Sequence, residues 1–237
     1  MNFEGKTILV TGGSSGIGKS ICEEFYNKGA NIIVFDIIES DSKFDYYKVN
    51  ITKEEEITNA LSSIMRVDVL VNCAGVYIQK YIEDTTTEEL DKIIDTNLKG
   101  TYLVTKNVLP LIKQSRGNII NISSGLGMVP ELTSPAYCMT KSAIIMLTKC
   151  LAQQFAEDNI RVNAVLPGPI DTPLLRKSLS TESELEEYKN LNPMRKIGAP
   201  KDVANVVLFL ASNLAEYVTG GLYSVDGGES TSSLYSK

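Results

Sequence analysis

Tyr137-Cys138-Met139-Thr140-Lys141 opens a segment of helical period, which stands a phenol and an ammonium one turn apart on a single helix face. A cation about 4 Å away, at an effective dielectric of about 20, favours the phenolate by roughly 4 kcal/mol and brings a group of pKa near ~10 within reach of neutral pH. Such a phenolate takes a proton from a hydroxyl, or returns one to a carbonyl in the reverse direction. Few other proton carriers are available, because the 237 residues include no histidine. Ser-His-Asp and Cys-His hydrolysis are therefore excluded, and acid/base work falls to Tyr, Lys, Asp, Glu or Cys. Taken alone, a tyrosine one turn before a lysine is more often a packing pair.

A second run is suited to binding. Thr11-Gly12-Gly13-Ser14-Ser15-Gly16-Ile17-Gly18 follows a strand-like stretch and opens a helical pattern. Glycines at this spacing let the backbone turn sharply and approach a pyrophosphate, whose charge then faces helix N–H groups. Asp36 ends the next strand, where a carboxylate accepts hydrogen bonds from a ribose diol. A 2′-phosphate would add about two negative charges there, each repelled by about 4 kcal/mol at roughly 4 Å. Neither Ser14 nor Ser15 brings a compensating cation, so NAD is expected ahead of NADP. The plainer alternatives are a steric glycine turn and a strand-end aspartate.

The elements that must position these groups are legible as alternation. Val/Ile-rich runs predict strands at 6–11, 31–36, 46–49, 68–72, 117–123, 160–166 and 221–225, with helices near 17–29, 53–64, 87–114 (one helix or two), 135–158 and 201–211. The expected architecture is α/β: a single-domain Rossmann fold over 1–237, with a doubly wound, parallel, seven-stranded sheet and helices on both faces. Thr52/Glu55, Thr86/Glu89 and Thr181/Glu184 have capping-box spacing. Between 172 and 198 the sheet rhythm lapses into Pro-flanked, charged helical sequence, either a substrate lid or a plain surface helix pair. The polar tail from Glu229 to Lys237 is expected to be loosely ordered.

Bulk properties exclude several classes. A net charge of -6 disfavours a nucleic-acid partner. No secretion signal and no apolar run long enough to span a bilayer are visible, so the expected address is the cytoplasm and no membrane is involved. Cysteines 22, 73, 138 and 150 contain no Cys-x-x-Cys pair, so buried thiols are expected and a metal site is not. The acceptor patterns Asn50-Ile51-Thr52 and Asn121-Ile122-Ser123 are accidental in that compartment.

Taken with further motifs, the chain resembles the short-chain dehydrogenase/reductase family along nearly its whole length. The resemblance rests on 11–18, Tyr137/Lys141, Asn72-Cys73-Ala74-Gly75, Asn97, Ser123-Ser124, Pro167-Gly168-Pro169-Ile170-Asp171-Thr172 and Val225-Asp226-Gly227-Gly228. It implies that Ser124 hydrogen-bonds the reacting oxygen, with Tyr137 as acid/base. Ser123, its strand neighbour, should point to the opposite face. Lys141 would lower the tyrosine pKa and hold the nicotinamide ribose, and Asn97 would hold a relay water. Cofactor contacts are implied for Gly12, Ser14, Ser15, Gly16, Ile17, Gly18, Asp36, Asn50, Ile51, Asn72, Ala74, Gly75, Tyr137, Lys141, Pro167, Gly168, Ile170 and Thr172. Asn50 departs from the family, which commonly has Asp beside the adenine, and weaker adenine contacts are expected.

The resemblance implies an oxidoreductase acting on a small molecule, and relatives are commonly dimers or tetramers built through the helices holding Asn97 and Tyr137. The expected reaction is NAD-dependent hydride transfer to or from a secondary alcohol, polyol or sugar-like hydroxyl. A 3-oxoacyl carrier-protein reductase using NADPH is the alternative, with Arg176, Lys177, Arg195 and Lys196 as candidates for meeting a carrier. A non-catalytic nucleotide sensor is a third.

Overall fold

Six largely apolar runs and the edge segment Asp45–Lys48 form seven parallel strands in the computed structural model, which describes residues 1–39, 43–179 and 181–231. They are β1 (Thr7–Thr11), β2 (Asn31–Asp36), β3 (Asp45–Lys48), β4 (Val69–Asn72), β5 (Asn118–Ile122), β6 (Arg161–Pro167) and β7 (Leu222–Val225), in the order β3-β2-β1-β4-β5-β6-β7. Alternation along each strand supplies two apolar faces. Ile8, Val10 and Val34 pack with Ile21 and Phe25 of α1 (Gly16–Tyr26) and Val203 and Val207 of α8 (Pro200–Ala211). Leu9, Ile33 and Phe35 face the other way, onto Ile57 of α2 (Glu54–Leu61) and Val104, Val108 and Ile112 of α4 (Thr101–Ser115). α5 (Pro135–Gln154) lies along β6 and presses Ile145 onto Ala164 and Leu166. The chain is a single domain of the doubly wound class, with its topological switch between β1 and β4.

Several local expectations need correction. The helix expected over 87–114 is α3 (Thr87–Ile94), a π-helical turn Asp95–Gly100, and then α4. The Thr101 hydroxyl donates to the Asn97 carbonyl at 2.9 Å in that turn. Capping boxes form at Thr86/Glu89 and Thr181/Glu184, but not at Thr52/Glu55. There the Thr52 hydroxyl donates to Asn50 Oδ1 at 2.9 Å, while Glu56 accepts from Asn50 N at 2.7 Å. α2 starts at Glu54 with Lys53 at the N-cap, so Thr52 stands one residue too early to cap it, and Lys53 offers no side-chain acceptor. The 172–198 region holds α6 (Pro173–Ser178) and α7 (Glu182–Leu191). Of the tail, Glu229–Thr231 form a 3-10 turn, and 232–237 lie outside the described residues.

A buried polar ladder crosses the middle of the sheet. Register sets Asn72 opposite Asn121, and Asn72 Nδ2 donates to Asn121 Oδ1 at 2.8 Å and to Thr105 Oγ1 at 2.9 Å. Asn121 Nδ2 continues to Thr148 Oγ1 at 2.9 Å, joining β4, β5, α4 and α5. Asn121→Ala removes an acceptor from a buried amide, which costs about 1–3 kcal/mol. The expected result is a melting temperature lower by roughly 3–10 °C with an unchanged fold. Thermal unfolding followed by circular dichroism checks it, and an unaltered midpoint contradicts the ladder's role.

Candidate active site

Register carries four strand ends to one edge of the sheet. Thr11 pairs with Phe35 and Asn72, Asn72 with Asn121, and Ile122 with Val165, so the segments leaving β1, β4, β5 and β6 start side by side. The buried Thr11 hydroxyl accepts from Cys73 N at 3.0 Å and Ala74 N at 3.1 Å, drawing the β4 exit beneath the glycine turn. Gly12 (φ +68) touches that backbone, and a Cβ there would sit 2.8 Å from Ala74 Cα. A Cβ on Gly18 would overlap the Gly12 carbonyl oxygen. Glycine is the residue these approaches permit.

The turn meets the requirements of a diphosphate. Ser15, at the N-cap of α1, makes no side-chain capping bond, and the first turn of α1 holds no acidic residue. The amides of Gly16, Ile17 and Gly18 thus lie at an uncompensated positive helix end. Gly16 faces Thr172, whose Cγ2 lies 3.3 Å from where a Cβ on Gly16 would stand. At the end of β2, Asp36 accepts from Ser14 N at 3.0 Å through Oδ2 and from Ile38 N at 3.1 Å through Oδ1. The Ser14 hydroxyl donates to Ile38 O at 2.6 Å, so the carboxylate is oriented by its own loop. The residues present fit a dinucleotide.

Lys141 projects from α5 and is 6% exposed, with Nζ donating to Ile122 O at 3.0 Å. Burial lowers its pKa to about 8. Its Nζ lies 5.5 Å from the centroid of the Tyr137 ring. Ser124 leaves the end of β5 in extended conformation and accepts from Leu126 N at 3.1 Å. Ser123 turns into the protein and donates to Lys141 O at 2.8 Å. The expected depression of the Tyr137 pKa is not what the geometry produces. Burial raises it well above the ordinary phenol value, and hydrogen bonding to Ser124 offsets only part of this. The physical reason is that withdrawal from water penalises the phenolate and the ammonium alike. Tyr137 keeps some solvent contact at the mouth, which tempers the rise without reversing it.

Other residues from the sequence reading are placed differently. Asn97 is 1% exposed and clamps the β4 exit, accepting from Val76 N at 2.8 Å and donating to Val76 O at 2.9 Å and Thr140 Oγ1 at 3.3 Å. Its side chain is thereby committed to positioning. Asn72 serves the interior ladder. Asn50 Oδ1 is engaged by Thr52 N at 3.1 Å as well as by the Thr52 hydroxyl, which weakens any bond to an adenine amine, and Ile51 is buried against Gly100. Ala74 and Gly75 do border the turn and the lysine: a Cβ on Gly75 would lie 3.3 Å from Asn97 Oδ1 and 3.7 Å from Lys141 Nζ. Pro167 ends β6, Gly168 adjoins Asp226 and Glu229, and Ile170 is buried, bridging to Gly198. Thr172 caps α6 by accepting from Leu175 N at 3.3 Å.

Tyr77 escaped the sequence reading. Its ring meets Tyr137 edge-on, with centroids 4.9 Å apart at 86°. The only hint was an aromatic residue just past Gly75, a position without a periodic signal. Among the described residues no group of three or more His, Cys, Asp and Glu is arranged to hold a metal, and no helix is long and apolar enough to cross a membrane.

Comparison with known proteins agrees with this arrangement. A family model described as enoyl-(acyl carrier protein) reductase matches residues 12–230. A 3-oxoacyl-(acyl-carrier-protein) reductase of Thermotoga maritima is 38% identical over 245 residues, covering 96% of this chain and 99% of the relative. An NAD-dependent glycerol dehydrogenase of Listeria innocua is 36% identical over 241 residues, covering 96% and 94%. Among solved structures, the ligand-free aldohexose dehydrogenase of Thermoplasma acidophilum superposes with a TM-score of 0.93 at 36% identity, covering 97% of this chain and 96% of that one.

The lowered pKa of Lys141 has a consequence for stability. Its folded value, about 8, lies below the ordinary lysine value of 10.5, so between these limits the unfolded chain binds the extra proton and stability rises with pH. Below this window both states are protonated and the full penalty, roughly 3 kcal/mol, persists. Lys141→Met is expected to abolish the rise between pH 8 and 10 when denaturant unfolding is followed at a series of pH values. Parallel curves for parent and variant contradict a buried ammonium.

Proposed function

The chain belongs to the short-chain dehydrogenase/reductase family and is an oxidoreductase acting on CH-OH groups, and from that premise we propose that it transfers hydride between NAD and the carbon of a secondary alcohol, polyol or sugar-like hydroxyl, with Tyr137 as general acid/base. One observation carries this reading. The backbone at 74–75 that supports the glycine turn also borders Lys141 Nζ and Asn97, so the diphosphate cradle and the phenol share one cleft.

Bound nicotinamide supplies the acceptor or donor of the hydride. The chain's own groups manage the proton and the geometry. The Ser124 hydroxyl, oriented by the Leu126 amide it accepts from, is left to donate to the reacting oxygen. Burial favours the neutral phenol, so Tyr137 is set to give its proton to a carbonyl oxygen in the reducing direction; in the oxidising direction the phenol first releases its proton to solvent, and the phenolate then takes the proton of the alcohol. Lys141, anchored on the Ile122 carbonyl, holds a positive charge beside the phenol ring. Asp36 accepts from the adenosine ribose and repels a 2′-phosphate, which is the ground for NAD. Gly168, Ile170 and Thr172 border the nicotinamide end. The 172–198 helices act as a lid over the substrate, and α4 and α5, with exposed Tyr102, Met139 and Met146, pair copies of the chain into a homo-oligomer.

A second reading, reduction of a 3-oxoacyl group on a carrier protein, is favoured by the name of the Thermotoga maritima relative. Arg176, Lys189, Arg195 and Lys196 line a groove of about 410 Å³ with Asp171 and would face an acidic carrier. Asp36 counts against its NADPH.

Two measurements decide. Parent enzyme is expected to use NAD with a kcat/KM at least roughly tenfold above that with NADP, and Asp36→Ala to narrow the gap. Preference of the parent for NADP overturns the assignment. Tyr137→Phe is expected to lower kcat by about 10²-fold or more while cofactor affinity, followed by fluorescence, stays within a few-fold. Full turnover by that variant would overturn Tyr137 as the acid/base, whereas a parent that binds the cofactor but turns over no substrate would indicate a nucleotide sensor.

A further inference from the structure

The loop after β4 touches Tyr137, and three further segments packed near that loop or near the turn after Ser124 each contribute an oxygen-bearing side chain that the proton chemistry does not use. The loop after β4 supplies Tyr77, edge-on to the reacting ring at 4.9 Å. The segment between Ser124 and Tyr137 supplies Glu131. Its Oε1 accepts from Thr133 N at 3.2 Å and Thr133 Oγ1 at 3.1 Å, and Gln79 Nε2 donates to the same hydroxyl at 3.2 Å. Glu131 is thus stitched to the Tyr77 loop through Oε1, with no bond to Oε2 among the described residues. The turn after β7 supplies Glu229, whose Oε2 lies 2.7 Å from where a Cβ on Gly168 would stand. Asp226 braces that turn, accepting from Gly228 N and Ser230 N at 3.0 Å each. α7 supplies Tyr188, and Asn192 at its C-cap donates to Asp226 O at 2.7 Å, which ties the helix to the Glu229 turn.

Among ordinarily charged side chains, carboxylates act most strongly on these two phenols. Burial raises Tyr77 to about 12, with Tyr188 and Glu131 adding to the effect. Tyr188 is raised by burial and then by Glu131, Glu229, Glu184 and Glu187. Four of the five cations of the 172–198 region, Arg176, Lys189, Arg195 and Lys196, line a separate groove with Asp171 and Ile197, whose lining includes none of Tyr77, Glu131, Tyr188 and Glu229.

Resting on the oxidoreductase reading above, we propose that Glu131 and Glu229, with Tyr77 and Tyr188, form a wall that reads hydroxyl groups away from the reacting carbon and selects an uncharged polyhydroxylated substrate, a sugar or polyol, over an anionic one. Carboxylates accept charge-assisted bonds from O–H donors and have lone pairs beyond those already engaged. Phenols donate to hydroxyl oxygens, and their rings cover the C–H faces of a sugar. A carboxylate or phosphate on the substrate would meet two like charges in a half-dry cleft, where repulsion is strong.

The test compares kcat/KM with NAD for three substrate classes: neutral hexoses and polyols, the corresponding uronates and sugar phosphates, and simple secondary alcohols. Parent enzyme is expected to prefer the neutral polyhydroxylated class over both others. In Glu131→Gln and Glu229→Gln, the ratio of hexose to simple-alcohol efficiency is expected to fall about 10- to 100-fold. Discrimination against uronates is expected to relax by about tenfold or more in the double variant, a change that lost stability alone would not produce. Tyr188→Phe, which removes one hydroxyl, provides a smaller fall in the same ratio. Parent preference for an anionic or simple substrate, or variants that lose all classes in equal proportion, overturns the wall. Absence of hydride transfer with every alcohol, ketone and nicotinamide tried overturns the oxidoreductase reading beneath it as well.

Discussion

Parallel strands that end in register leave several chain segments to depart from one edge at close quarters, and the Thr11 hydroxyl settles how two of them cross. It accepts the amides of Cys73 and Ala74 and pulls the β4 exit under the β1 exit until Gly12 rests on Ala74. A side chain at Gly12 would push the two apart, and one at Gly18 would push α1 off the turn. The helix end that results is uncapped by any side chain, so its free amides suit a phosphate. The β4 exit in turn is clamped at Val76 by Asn97, at the π-helical turn before α4. The cradle and the chemistry are linked through this short piece of backbone.

Desolvation rules the electrostatics of the cleft. Attraction between a phenol and an ammonium was the expected organising force, but burial acts on both and opposes the charged form of each. The outcome is a neutral acid beside a lysine that remains mostly protonated at pH 7. A proton is therefore stored on Tyr137, and the groups that adjust it are a hydroxyl and a carbonyl anchor rather than a close ion pair. Carboxylates are the charged side chains that act most strongly on Tyr188, while four of the five basic residues of 172–198 gather in a groove with Asp171.

Residue types that suggested ligand contacts also serve as framework. Asn72 lies in the motif after β4, yet both its amide hydrogens are committed inside the sheet to Asn121 and Thr105. Asn50 bends its carbonyl onto Thr52, which leaves less for an adenine. Asn97 holds a backbone rather than presenting an open amide. In each case a nearby backbone or hydroxyl partner, already in place, outcompetes a more distant role.

What the sequence determined by itself was whatever depends on neighbours along the chain. Two-residue and 3.6-residue periodicity marked all seven strands and the main helices to within a few residues, because each apolar face is written locally. The capping boxes at Thr86 and Thr181, the glycine turn and the acidic end of β2 were legible for the same reason. The family, too, could be read from ordered motifs. Tertiary structure alone decided the break of 87–114 at Asn97, the failure of the Thr52 cap, the contact of Tyr77 with Tyr137, and the sign of the shift on the Tyr137 phenol. These depend on which segments, far apart in sequence, share a dry space, and the energy of burying a charge is a property of that space rather than of the residue that carries it.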